Sequence, residues 1–129
     1  MEKQETKPKK VMVVDDDADF VEIEKTILEA EGYDVVVAYN GSECLKKVKQ
    51  DKPDLIILDI QMTTEYDGVN TAQYLRDHEE LSDIPIIVVT SKPIYSIYPD
   101  DEWYPTDEFI NKPVDKEQFI SQVKRVMGI

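Results

Sequence analysis

The sequence predicts an α/β protein with a doubly wound, five-stranded parallel sheet. Short apolar runs alternate along the chain with amphipathic stretches of helical period. The runs are continuous rather than alternating, which is typical of strands that are covered on both faces. The chain has 129 residues, of which 41% are hydrophobic, so we expect one domain with a substantial core. Strands that alternate with helices imply βαβ units with right-handed crossovers.

The five predicted strands are four strong runs and one weaker one. The strong runs are rich in β-branched residues, which favour strands, and they lie at residues 11–14, 35–38, 55–58 and 86–89. The weaker run covers residues 108–110.

Four amphipathic stretches predict helices that follow the first three strands and the last one. The first helix is expected to stop at Gly32 and the second before Pro53, while Asp115 is expected to cap the N-terminus of the last. Their predicted apolar stripes are Phe20, Ile23, Ile27 and Ala30; Leu45 and Val48; Val69, Ala72 and Leu75; and Phe119, Val123 and Val126.

Residues 92–105, between the fourth and fifth strands, do not follow this alternation of strands and helices. Pro93 could open a helix, but Pro99 would lie in its interior at a cost of about 3 kcal/mol. The fourth helix of a regular doubly wound fold is therefore expected to be short, distorted or absent.

Charge and composition exclude several classes of protein. The net charge of -13 argues against a nucleic-acid binder, because phosphates would repel the chain. No apolar run approaches the roughly 20 residues of a membrane helix, and residues 1–9 lack the apolar stretch of a signal peptide. We expect residues 1–9 to be a flexible tail, residues 10–129 to form the domain, and the protein to be cytoplasmic.

Polar side chains follow four of the five predicted strands. The first strand ends in Asp15-Asp16-Asp17, the third in Asp59, the fourth in Thr90-Ser91, and the fifth runs into Asn111-Lys112. In open α/β sheets the carboxyl ends of the strands form the ligand site, so these groups are expected to converge. Converging carboxylates repel one another, and hard oxygen ligands without His or Cys favour Mg²⁺. A carboxylate can itself be a nucleophile and form an aspartyl phosphate.

Four segments together resemble the response-regulator receiver domain of bacterial two-component signalling. They are residues 13–17, 53–59, 88–91 and 109–113, and the resemblance covers about residues 10–128. It implies a flavodoxin-like sheet with strand order 2-1-3-4-5. It also implies a signalling domain rather than a turnover enzyme, phosphorylated by a sensor histidine kinase or a histidine phosphotransfer protein. The downstream protein target is not indicated.

The resemblance implies roles for the residues at the strand ends. Asp59 would accept the phosphoryl group from a phosphohistidine. Asp15 and Asp16 would hold Mg²⁺ together with Asp59 and the backbone carbonyl of Gln61.

The resemblance also implies a switch. Lys112 would pair with Asp59 and then with the phosphoryl group, and Thr90 would hydrogen-bond a phosphoryl oxygen and draw its loop inward. Phe109 matches the aromatic position whose ring orientation reports activation.

Two other functions remain open at this point. The first is a receiver-like binding module that works without phosphorylation through a surface at residues 92–105. The second is a haloacid-dehalogenase-like phosphatase, which also begins with an Asp-x-Asp strand end, here Asp15-Asp16-Asp17.

Overall fold

The computed structural model describes residues 9–59, 67–90, 108–112 and 114–128. Within these ranges the strands and helices follow one another in the order that the sequence predicts. The strands are β1 Lys10–Val14, β2 Asp34–Ala38, β3 Leu55–Asp59, β4 Ile86–Thr90 and β5 Glu108–Asn111; the helices are α1 Ala18–Ala30, α2 Gly41–Gln50, α3 Asp67–Asp77 and α4 Lys116–Met127.

The five strands form one parallel sheet in the order β2-β1-β3-β4-β5. This confirms both the predicted fold class and the strand order. The predicted tail at residues 1–9 falls outside the described ranges except for Lys9, and the predicted irregular helix at residues 92–105 falls outside them entirely.

The continuous apolar runs are explained by a separate core on each face of the sheet. Successive side chains of a strand point to opposite faces. In β3, Ile56 and Leu58 belong to the core beneath α2 and α3, whereas Leu55 and Ile57 belong to the core beneath α1 and α4. Every residue of β3 and β4 is buried, so neither strand has a solvent-facing side on which polar residues could alternate.

Side chains and glycines define the helix ends. Asp17 caps α1 by accepting hydrogen bonds from the backbone N–H groups of Asp19 and Phe20. As predicted, Asp115 caps α4, with Oδ2 accepting from the N–H of Gln118 at 2.9 Å. Gly32 follows α1 at a φ of 92°, a left-handed conformation that favours glycine.

The predicted apolar stripe of α1 is partly wrong. Phe20 and Ile27 contact the core, but Ile23 is 54% exposed and Ala30 is also exposed. The stripe that α1 buries is Val21, Glu24 and Leu28. The prediction failed because it assigned only apolar residues to the inner face, and the middle position of that face is an acid.

Across the described part of the chain, no helix is both long enough and apolar enough to cross a bilayer.

Candidate functional site

The carboxyl ends of four parallel strands bring the predicted polar residues to one edge of the sheet. Asp15 follows β1 directly, Asp59 is the last residue of β3, and Thr90 is the last of β4. Lys112 follows β5, and its backbone N–H donates to the Thr90 carbonyl at 2.8 Å. Asp59 lies beside Val89 in the pairing of β3 with β4, which puts Thr90 one residue further along the adjacent strand.

Three carboxyl groups gather at this edge. Asp15, Asp16 and Asp59 each offer one oxygen, and these oxygens lie within 4.8 Å of one another. Asp15 is 1% exposed and Asp59 4% exposed, whereas Asp16 faces solvent. Three hard oxygen ligands, one of them open to water, suit a hydrated divalent ion such as Mg²⁺, which usually binds one or two carboxylates and retains several waters. The donor set therefore fits the metal that the resemblance implies.

Backbone contacts fix the orientation of Asp15. Its N–H donates to the Ala38 carbonyl of β2 at 3.1 Å, and its Oδ1 accepts from the N–H of Asp17 at 3.0 Å. The remaining oxygen, Oδ2, contacts Lys112. The chain that turns from β1 into α1 thus aims one oxygen of Asp15 into the site.

Lys112 supplies the positive charge of the site. Its Nζ lies 3.2 Å from Asp15 Oδ2 and 3.4 Å from Asp59 Oδ2, and 4.2 Å from the centre of the Phe20 ring. Burial by itself lowers the pKa of the Lys112 ammonium, but the carboxylates of Asp59 and Asp15 outweigh burial and raise it above its usual value. Lys112 is therefore a fixed cation at neutral pH, in contact with both buried acids.

Thr90 and Phe109 lie on the side of the sheet that α2 and α3 cover. Thr90 is fully buried and lies on the same face of β4 as Ile86 and Val88, four and two residues before it, both of which belong to that core. Phe109 is half-buried and packs against the same core. Gln61, whose backbone carbonyl is expected to bind the metal, lies outside the described residues.

Sequence reasoning missed two residues that affect the site. The Phe20 ring covers the Lys112 ammonium, which is a favourable cation–π arrangement. Glu24 is 1% exposed, and its burial, followed by the negative charge of Asp15, raises its pKa to about 8; Lys112 opposes the shift and Asp59 adds to it. The available signal was an acid at the middle of the helical stripe Val21, Glu24, Leu28.

Comparison with known proteins finds the same type of domain over nearly the whole chain. The family model of the response regulator receiver domain matches residues 11–124. A polar-differentiation response regulator, DivK, from Brucella anthropi is 33% identical over 124 residues, which are 94% of this chain and 98% of that protein. DivK from Brucella ovis is 32% identical over 93% of this chain and 97% of its own length.

Solved structures agree with this match. The response regulator TrrA of Thermotoga maritima, crystallised in complex with Mg²⁺-BeF, is 33% identical, with a TM-score of 0.79, over 92% of this chain and 98% of that chain. The receiver domain of a signal transduction histidine kinase from Syntrophus aciditrophicus is 32% identical, with a TM-score of 0.82, over 93% of this chain and 90% of that one. The Vibrio cholerae chemotaxis protein CheY4 has a TM-score of 0.84 at 24% identity, over 92% of this chain and 98% of its own, and supports the fold alone.

Proposed function

The chain belongs to the response regulator receiver domain family, and we propose that it accepts a phosphoryl group on Asp59 and changes conformation in response. One observation carries the proposal: the buried Asp59 carboxyl shares a small space with two further carboxyls and with the Lys112 ammonium. Domains of this family are signalling modules and generally not turnover enzymes.

The transfer is a displacement at phosphorus. A carboxylate oxygen of Asp59 attacks the phosphorus atom of a phosphohistidine, a P–O bond forms, and the P–N bond breaks with its electron pair returning to the imidazole nitrogen. Negative charge spreads over the three peripheral phosphoryl oxygens during this step, so catalysis consists mainly of positioning and charge stabilisation.

We assign the metal to Asp15, Asp16, Asp59 and the backbone carbonyl of Gln61. When bound, Mg²⁺ supplies positive charge beside the phosphoryl oxygens and relieves repulsion among the carboxylates. The donor set described above supports this assignment, and so does the Mg²⁺-BeF complex of the Thermotoga relative.

Lys112 and Thr90 would bind oxygens of the phosphoryl group. The Lys112 ammonium would pair with a phosphoryl oxygen, and its distance of 3.4 Å from Asp59 Oδ2 supports this role. The Thr90 hydroxyl, at the end of the adjacent strand, would gain a hydrogen bond only after phosphorylation, and this difference favours one loop arrangement over the other. Phe109 would report that change, because it packs on the same side of the sheet as Thr90.

The phosphodonor would be a sensor histidine kinase or a histidine phosphotransfer protein in the cytoplasm. The family assignment supports this class of partner. It gives no support to the phosphatase alternative, in which Asp15 is the nucleophile. The alternative of a phosphorylation-independent surface at residues 92–105 stays a prediction, because those residues lie outside the described part of the chain.

Phosphorylation by a small donor tests the proposal. Incubation of the protein with MgCl₂ and acetyl phosphate should add the mass of one phosphoryl group, and neither Asp59→Asn nor wild type in EDTA should gain it. Asp54→Asn is the matched control: Asp54 is an exposed acid before β3, at the opposite edge of the sheet, and this variant should be modified as wild type is. A wild-type protein whose mass does not change under these conditions would contradict the proposal.

A further inference from the structure

Glu24 is a buried acid for which the phosphotransfer chemistry has no role. It lies on the inner face of α1 between Val21 and Leu28, both of which belong to the apolar core beneath α1 and α4. It is 1% exposed, and its Oε2 has no hydrogen-bond partner among the residues that the structure describes. An ionised carboxylate in such a place would have neither water nor a donor to stabilise it, so the group keeps its proton.

The charges that act on Glu24 are those of the candidate metal site. Burial is the main reason that it holds its proton, and the carboxylates of Asp15 and Asp59 add to this effect while the Lys112 ammonium opposes it. The geometry of α1 also relates Glu24 to this site: Glu24 lies one helical turn after Phe20, on the same face of α1, and the Phe20 ring lies 4.2 Å from the Lys112 Nζ that contacts Asp15 and Asp59.

Among the described residues, the side chains of β1, β2 and α4 that belong to the core beneath α1 and α4 carry no charge. The α4 residue Lys124 does not belong to this core; it pairs with Glu31, beyond the end of α1, at 3.3 Å. The uncharged residues are Val11 and Val13 of β1, Val35 and Val37 of β2, and Phe119, Gln122 and Val123 of α4.

We propose that Glu24 is coupled to the divalent-cation site, being uncharged in the metal-free protein at neutral pH and ionising when a cation binds, so that metal binding releases a proton. This inference rests on the metal site assigned above. A divalent cation beside Asp15, Asp16 and Asp59 offsets the two negative charges that help Glu24 to retain its proton, and it adds a positive potential that favours the carboxylate. The O–H bond of the Glu24 carboxyl breaks and the proton passes to solvent.

Coupling of this kind is reciprocal. If the cation favours the ionised form of Glu24, the ionised form must favour the cation by the same factor. The affinity for Mg²⁺ should therefore rise with pH across the range in which Glu24 titrates, by at most about tenfold per pH unit for one coupled proton. The fraction of the protein that holds Mg²⁺ would therefore depend on pH near neutrality.

Counting protons tests the inference. MgCl₂ is added to unbuffered protein at pH 7.5 and constant ionic strength, released protons are titrated in a pH-stat, and metal occupancy is followed in parallel by amide NMR shifts. Wild type should release about one-half to three-quarters of a proton per bound ion more than Glu24→Gln, which retains the shape but cannot ionise. Glu22→Gln removes an exposed acid from the same helix and should release as many protons as wild type.

A measurement on the unmutated protein removes any dependence on how the variant folds. The side-chain carboxyl ¹³C shift of Glu24 should titrate with a midpoint near 8 in EDTA, and saturating MgCl₂ should move that midpoint down by more than about one unit. An unchanged midpoint, or equal proton release by wild type and Glu24→Gln while NMR shows Mg²⁺ bound, would overturn the coupling and leave the metal site intact. Failure of Mg²⁺ to bind wild type at all would overturn both.

Discussion

Replacing Glu24 by glutamine is expected to change the pH dependence of folding stability in the metal-free protein. The pKa of Glu24 is raised from 4.5 to about 8 in the folded state. Between these values the folded protein binds nearly one more proton than the unfolded chain, so the free energy of unfolding falls as pH rises. The resulting loss of stability is absent below pH 4.5, grows through the neutral range, and levels off above pH 8. Glutamine does not titrate, so Glu24→Gln should lack this contribution.

The magnitude follows from the two pKa values. Each pH unit over which the folded state holds one extra proton costs about 1.4 kcal/mol. From pH 5 to pH 7 the group is partly titrated at both ends, so wild type should lose about 2.5 kcal/mol relative to Glu24→Gln. That is a large part of a typical stability of about 5 to 15 kcal/mol. All other titrating groups are common to the two proteins and largely cancel in the comparison.

Urea denaturation in EDTA at half-unit pH steps from 5 to 8.5 measures this difference directly. Glu22→Gln, which changes an exposed acid two residues away, should follow the wild-type curve. If the stability curves of wild type and Glu24→Gln run parallel across this range, then Glu24 is not a buried carboxyl of raised pKa, and the reasoning above is wrong.

Three further substitutions test other parts of the account. Lys112→Gln leaves two buried carboxylates without their cation, so in EDTA it should lower the free energy of unfolding by about 2 to 3 kcal/mol. This loss is smaller than that for a fully buried ion pair, because Lys112 is 21% exposed. MgCl₂ should restore part of the lost stability, whereas an unaltered stability in EDTA would show that the ion pairs contribute little. Asp115→Ala removes the N-cap of α4 and should lower the free energy of unfolding by about 1 kcal/mol, measured by urea denaturation. Asp115→Asn can still accept the hydrogen bond and should lower it clearly less, so equal losses of stability in the two variants would count against the cap. Phe119→Ala empties a fully buried position beneath α4 and should cost about 3 to 5 kcal/mol in the same assay, and a loss below 1 kcal/mol would mean that α4 does not pack as described.

The strands and the polar edge of the sheet could be predicted because their signals are local. The continuous run at residues 86–89 is apolar because both faces of its strand are covered. Asp59 and Thr90 end their strands, so parallel pairing alone brings them to one edge. The strand order came from the family resemblance, since periodicity does not specify which strands are neighbours.

The inner face of α1 could not be predicted from apolar spacing. Ile23 fits a helical repeat but is 54% exposed, whereas Glu24 breaks the repeat and is buried. Which of the two faces inward depends on the rotation of α1 against the sheet, and the packing of Val21 and Leu28 determines that rotation. The contact of Lys112 with Phe20 depends on the same rotation, and nothing in the local sequence around either residue indicates it.

The central claim is that Asp59, rather than another acid at this edge, carries the phosphoryl group. Sodium borohydride reduces an aspartyl phosphate to homoserine, and peptide mass mapping then locates the modified residue. After incubation with acetyl phosphate and MgCl₂, the account predicts homoserine at position 59 alone. Homoserine at position 15 or 16, or none at any position, would contradict it.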